Sequence, residues 1–199
     1  MTRATRDRTA VLEAAARVIA ERGVDATRFR DVSAASGVPV SSLQYSFGSR
    51  EDMLLAALRH ASRTEIDGLT ADLAVRDGPW DRLTRIVAVA LAGFGGVPAG
   101  PGRRWLESWG LALHDRALRS DVLADTATWR LLVADAVRAG REQGDFAADV
   151  DPERVAVQAV ALCDGVGMPI ALGDPAVPPS AALDLVLDAL AAVLGYHPR

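Results

Sequence analysis

Apolar residues recur at three- and four-residue spacing along almost the whole chain, and no run shows the two-residue alternation of a strand. Val11, Leu12, Ala15, Val18 and Ile19 set the pattern for a first helix over about 8–22, which Gly23 ends. Thr27 is placed to cap a second helix reaching about Ser36, and Gly37 is free to take the left-handed turn that follows. A short third helix is expected from about Pro39 or Val40 to Ser46. Ser49 and Asp52 have the spacing of a capping box for a fourth helix, through about Thr70. Val11, Ala15, Val18, Phe29, Val32, Leu43, Phe47 and Leu54 would form the core of this head.

Gly78–Pro79 separates the fourth helix from one over about 80–94, and GFGGVPAGPG, residues 93–102, reads as a loop. The helical pattern resumes over about 103–116, with a short helix around 118–125 and a long one reaching about 143, where Gly144 stops it. Asp151 as cap and Pro152 in the first turn open a helix to about Met168. After GDPAVPP a last helix covers about 179–194. The fold class is therefore all-α. The head occupies residues 1–50 and continues into the helix at 50–70, and a larger helical body takes 51–199.

Composition narrows the class further. Half of the 199 residues are apolar, yet no uninterrupted apolar run approaches the ~18 of a membrane span. The opening MTRATRDRTA is basic and polar, unlike a secretory leader. A soluble, cytoplasmic protein with no membrane partner is expected. Cys163 is the only cysteine, so no internal disulfide exists and a core position suits it. The net charge of −4 hides an asymmetry. Residues 1–50 hold eight Arg against five acids, a balance of +3, while residues 51–199 hold fourteen Arg against twenty-one acids, a balance of −7. An acidic body with a basic head remains compatible with nucleic acid at the head.

The chemistry concentrates in TRFRDVSAASGVPVSSLQYSFGSR, residues 27–50. Two short helices joined at a glycine, with small Ala34 and Ala35 between them and an apolar seam of Val32, Val38 and Leu43, have the form of a helix-turn-helix. Thr27, Arg30, Asp31, Val32, Gly37, Val38, Leu43, Tyr45, Phe47, Ser49 and Glu51 stand in step with the motif of TetR/AcrR-family transcriptional regulators, which the chain resembles. The body's WRLLVADAVRAGREQGDF…DPERVA…LCDGVG layout is similar to that of choline-regulator-like members. The chain departs from the motif at Pro39, which replaces a Ser cap, and at Ser41 or Ser42, where Gly is common. It departs again at Gln44, in place of Tyr, and at Ser46, in place of His or Tyr. These changes bear on which operator is read, not on DNA binding.

Val40, Ser41, Ser42 and Gln44 are the candidates for base edges; the Gln44 amide suits adenine and Val40 a thymine methyl. Thr27, Arg28, Tyr45 and Arg50 are the candidates for phosphate, the last two by resemblance. Each has a plainer alternative: Thr27 as a cap, Tyr45 as an edge packer, Ser42 and Gln44 as ordinary surface. Arg3, Arg6 and Arg8 are equally a DNA arm or a solubilising tail.

One short reading helix makes few contacts, so a homodimer on a palindromic operator is expected. The last two helices would form its interface, through Val155, Ala159, Leu162 and Val166 on one and Leu183, Leu187, Leu190 and Leu194 on the other. An internal core is the alternative for these stripes. Leu91, Phe94, Trp105, Trp109, Leu113, Trp129 and Val133 are candidates to wall a cavity for a small apolar or aromatic effector, or to be solid core. His114 and Asp115 would offer a polar handle if they faced it. By resemblance, an effector wedging the body helices would move the fourth helix and lower operator affinity.

An enzyme is disfavoured. The three His, at 60, 114 and 197, form no cluster at metal-ligand spacing, and Gly165–Val166–Gly167 is too short for a phosphate loop. No catalytic residue, metal site or cofactor is expected. The sequence supports a ligand-responsive repressor most directly, with an activator of the same fold or a binding module that has lost DNA as alternatives.

Overall fold

The structure, a computed structural model, describes residues 3–76, 78–92, 94 and 101–197, with side chains from Arg8 onward and, in the sixth helix, from Arg104 onward. The described residues form α1 (Arg3–Arg22), α2 (Phe29–Ser36), α3 (Val40–Phe47), α4 (Arg50–Leu73), α5 (Pro79–Leu91), α6 (Pro101–Ala112), α7 (Arg116–Gln143), α8 (Pro152–Leu172) and α9 (Pro179–Leu194). Most of the segment 93–102, expected to be a loop, lies outside the described residues, and its last two positions open α6.

Against the periodicity reading, α4 runs on to Leu73 and α5 and α6 stop early, at Leu91 and Ala112. Three other differences have a local reason. α1 begins at Arg3, about a turn and a half early, because nothing in RATRDRTA breaks a helix. The expected pair of helices around 118–143 is one helix, α7, since no Gly or Pro interrupts the chain between Arg116 and Ala139. Asp115 caps it by accepting the Leu118 amide at 2.7 Å. α8 runs four residues past Met168, through Pro169, and stops at Gly173, whose φ of 74° is left-handed.

Two cores carry the architecture. In the head, Val11, Ala15 and Ile19 of α1 meet Val32, Leu43, Phe47 and, from α4, Met53, Leu54, Ala57 and Leu58. Leu43 and Phe47 are the buried residues of α3, so two side chains, worth about 2 kcal/mol each, set its seat. α4 leaves this core and enters the second, where Ile66, Leu69 and Leu73 pack with α5, α7, α8 and α9. It is the continuous element between head and body.

α8 has the length and composition of a membrane span, with a mean hydropathy of 1.7 over its most apolar stretch, of which 39% is buried within the chain. Val155, Ala156, Ala159, Cys163, Gly167 and Ile170 face inward. Val157, Met168 and Leu172 face out.

Candidate DNA-reading surface and effector cavity

Helix α3 divides its side chains cleanly. Leu43 and Phe47 turn inward, leaving Ser41, Ser42, Gln44, Tyr45 and Ser46 exposed and Val40 half-buried. Tyr45, 93% exposed, stands clear of the head and does not serve as an edge packer. Pro39 holds the N-cap at φ −57° and ψ 143°, and its carbonyl accepts the Ser42 and Leu43 amides, so the missing side-chain cap does not prevent the helix. Five polar side chains and Val40 thus form a shallow ridge of the size a major groove admits.

Thr27 does not belong to that surface. It is fully buried, and its hydroxyl donates to the Gly23 carbonyl at 2.7 Å, tying the turn between α1 and α2. Arg28 occupies the α2 N-cap, with its amide given to the Asp31 carboxylate at 2.9 Å. Arg28 is exposed, but its guanidinium donates to the carbonyls of Asp25 and, at 3.2 Å, Thr27. Arg50 is likewise committed. Its Nε donates to the Thr27 carbonyl at 2.6 Å and its Nη2 to the Val24 and Asp25 carbonyls, leaving the side chain 22% exposed. Arg50 therefore clamps the turn from the start of α4 rather than standing free for phosphate. Arg8 lies over the Phe47 ring, 4.6 Å from its centroid, and reaches the Ser46 carbonyl at 3.4 Å, beside the end of α3. The side chains of Arg3 and Arg6 lie outside the described residues.

The body contains a small cavity between α5, α6, α7 and α8 that opens to solvent. Phe94, Trp105, Trp109, Trp129 and Val133 line it, together with Ile86, Val87, Ala90, Thr126, Ala159, Val160, Cys163 and Asp164. Two expected residues do not. Leu91 is packed into the body core, and Leu113 is 71% exposed because α6 ends at Ala112 and the chain turns away. His114 is exposed and Asp115 is spent on its cap. The Phe94 ring fits over Gly167, where a Cβ would come within 2.7 Å of it. The Trp129 Nε1 is buried without a partner among the described residues.

Asp164 was missed by the sequence reading, although it is the single charge between Val155 and Leu172. Burial pushes its carboxyl up to about 6, and the Arg130 guanidinium draws it partway back. Burial, aided by the Asp164 charge, pushes the Cys163 thiol up to about 12, so it is inert packing. The cavity is thus an aromatic box with one carboxylate in its wall.

Between cavity and head lies a polar seam. Arg59 pairs with Asp121 and Ser62 donates to Asp125, fastening α4 to α7. Arg104 of α6 meets Glu65 of α4 at 3.3 Å, both side chains mostly buried. Burial raises the Glu65 carboxyl and lowers the Arg104 guanidinium, each partly restored by the other's charge. Among the described residues no group of three His, Cys, Asp or Glu is placed to hold a metal ion.

The residues expected at a dimer face separate into two sets. Val155, Ala159, Leu190 and Leu194 are packed inside their own chain, at 2, 1, 0 and 0% exposure, and are unavailable to a second copy. Leu162, Val166, Leu183 and Leu187 are half-buried. The apolar side chains that α8 and α9 turn outward are Val157, Met168 and Leu172 with Leu185 and Val193.

Known proteins share this arrangement. The tetR family of bacterial regulatory proteins matches residues 11–57, and the C-terminal domain of BetI-type transcriptional repressors matches residues 79–195. The HTH-type transcriptional regulator BetI of Rhizobium meliloti (strain 1021) is 28% identical over 166 residues, 80% of this chain and 75% of that protein. A transcriptional regulator from Saccharomonospora viridis, solved in complex with choline, superposes with a TM-score of 0.83 at 28% identity, covering 92% of this chain and 95% of the other. A TetR-family regulator from Rhodococcus sp. gives 0.76 at 27% identity, with 95% and 99% covered. The chain belongs to the TetR family of bacterial transcriptional regulators, with a body of the BetI type.

Proposed function

We propose that this protein is a dimeric repressor that holds a palindromic operator and releases it when a small quaternary-ammonium cation enters the body. The observation that carries the effector's class is Asp164, a carboxylate in the wall of a cavity lined by Phe94, Trp105, Trp109 and Trp129. An apolar or aromatic effector, expected from the tryptophans alone, would leave the burial of that charge offset only by the pull of Arg130. A methylated ammonium satisfies both features, since ring faces attract the cation and its methyl groups bury apolar area. The choline bound by the Saccharomonospora viridis regulator supports the same class.

Calorimetric titration with choline chloride and with its neutral carbon isostere, in which tert-butyl replaces trimethylammonium, tests the class. Choline is expected to bind at least about tenfold tighter. Equal affinities would remove the cation from the proposal.

For the operator, Val40, Ser41, Ser42 and Gln44 read base edges, and Tyr45 and Arg28 approach phosphate once Arg28 gives up its turn carbonyls. The second copy covers Val157, Met168 and Leu172 of α8 and Leu185 and Val193 of α9, which accounts for the hydropathy of α8 without a membrane. The protein then acts in the cytoplasm, beside the chromosome. Sequencing of genomic fragments retained by the purified protein should return one short palindrome. Retention without an inverted repeat would count against the dimeric reader.

A further inference from the structure

Among the described residues that wall the effector cavity, Phe94 alone stands outside a helix. It follows the end of α5 at Leu91, whose carbonyl accepts its amide at 3.4 Å. Its ring finds a seat on α8. Cys163 and Asp164 line the cavity, and Gly167 stands four and three residues beyond them, on the next turn of the same stripe.

A Cβ on Gly167 would lie 2.7, 2.8 and 2.9 Å from the Cζ, Cε2 and Cε1 atoms of Phe94, which are the three atoms nearest to it. The closest of these falls short of ordinary contact, which begins at 3.4 Å, by about 0.7 Å. The tip of the ring therefore occupies the place of the missing side chain. Nothing in the backbone asks for glycine there. Gly167 is buried inside α8 and is not left-handed, and glycine weakens a helix interior relative to alanine. Gly165, two residues earlier, has open space where its Cβ would stand, so the seat belongs to position 167 alone of this pair.

We propose that Gly167 determines the effector specificity of the cavity, as a positioning residue that acts through Phe94. The notch it leaves lets the ring close the cavity one turn beyond Asp164, and the closed end limits the size of the groups carried on the ammonium nitrogen. Methyl groups fit against the seated ring, which adds its face to the attraction of the cation. Larger alkyl groups have to unseat it. Any side chain at position 167 evicts the ring, and both the size limit and that attraction go with it. The inference rests on the cation-binding reading for the ligand; the seat of the ring does not depend on it.

Calorimetric titration of four full-length proteins tests the proposal: wild type, Gly167→Ala, Phe94→Leu and the double variant. The ligands are choline and its triethyl analogue, (2-hydroxyethyl)triethylammonium. Gly167→Ala should weaken choline binding about tenfold in the wild-type background, and less than about twofold once Phe94→Leu has removed the ring tip. Phe94→Leu should cut the preference for choline over the triethyl analogue by about fivefold or more, because the end wall is shortened. An equal loss from Gly167→Ala in both backgrounds, or a preference unchanged by Phe94→Leu, would overturn the proposal. Thermal melts of the same proteins decide the matter should choline give no heat with the wild type. Gly167→Ala should lower Tm beside Phe94 and raise it by about 2–4 °C beside Leu, where the helical preference for alanine is unmasked. That reversal keeps the seat and rejects the cation, and the same shift in both backgrounds rejects the seat. A Gly167→Ala protein that folds only together with Phe94→Leu also keeps the seat, and one that folds in neither background rejects it.

Discussion

Arg50 makes opposite demands on two experiments, and removing it separates a structural clamp from a DNA contact. In Arg50→Ala the carbonyls of Val24 and Thr27 each lose one of two donors, keeping the Thr27 amide and the Arg28 guanidinium respectively, both at 3.2 Å, in a turn where Val24 is 5% and Thr27 0% exposed. The Asp25 carbonyl belongs to an exposed residue and recovers its bond from water. Two partly buried carbonyls at about 1–1.5 kcal/mol each give a loss of about 2–3 kcal/mol. For a chain of this size that lowers Tm by about 4–12 °C. The second measurement is the dependence of operator affinity on salt. A phosphate contact contributes a slope of about 0.9 per head, so a clamp predicts an unchanged slope and a DNA contact a shallower one. Arg50→Lys sharpens the comparison: it keeps the charge but loses the fork, and should recover less than half of the lost stability. A shallower slope with Tm unchanged would refute the clamp.

Three further outcomes are expected. Thr27→Val, nearly isosteric, removes the hydroxyl that donates to Gly23 and should cost about 1–2 kcal/mol in thermal melts, with the salt slope intact; a change confined to DNA affinity would return Thr27 to the DNA surface. Asp164, with its carboxyl raised from 3.8 to about 6, is charged above that value, so choline affinity should be level from about pH 7 upward and fall towards tenfold per unit below about pH 6. Because the folded state binds this proton more tightly than the unfolded chain, the same group adds stability as pH drops from about 6 towards 4, and a pH-independent calorimetric affinity would exclude it as the cation's partner. Leu185→Arg, at an outward position, should yield a folded monomer by sedimentation and circular dichroism, whereas Leu190→Ala, fully buried, should cost about 2–5 kcal/mol of folding stability; a dimeric Leu185→Arg protein would move the interface elsewhere.

The all-α class and the head were legible because both rest on local signals. Gly37 adopts the left-handed conformation expected of it, Gly144 ends α7 as expected, and all eight expected head-core residues are buried or half-buried. What failed was direction at single residues. Thr27 has the side chain of a cap, but its hydroxyl turns back to Gly23, a choice made by tertiary packing. Arg50 reads as a free cation until the turn carbonyls appear across 23 to 26 residues of sequence. Leu190 and Leu194 sit on a helix apolar over more than one face, and periodicity alone does not say which face meets the chain's own core. Asp164 was the opposite case: one acid in an apolar helix was visible, and weighing the aromatic residues alone concealed what it implied.

The crowding of duties onto α8 has an evolutionary consequence. Ala159, Val160, Cys163 and Asp164 wall the cavity, Val155 and Ile170 hold the core, and Val157, Met168 and Leu172 supply the face assigned to a second copy. A substitution there is screened against folding, against self-association and against ligand choice at once, and few changes satisfy all three. Ile86 and Ala90 on α5, Trp109 on α6 and Thr126 on α7 touch the same cavity from helices without that double burden. Divergence towards new effectors, natural or selected in the laboratory, should therefore accumulate on those three helices while α8 stays nearly fixed.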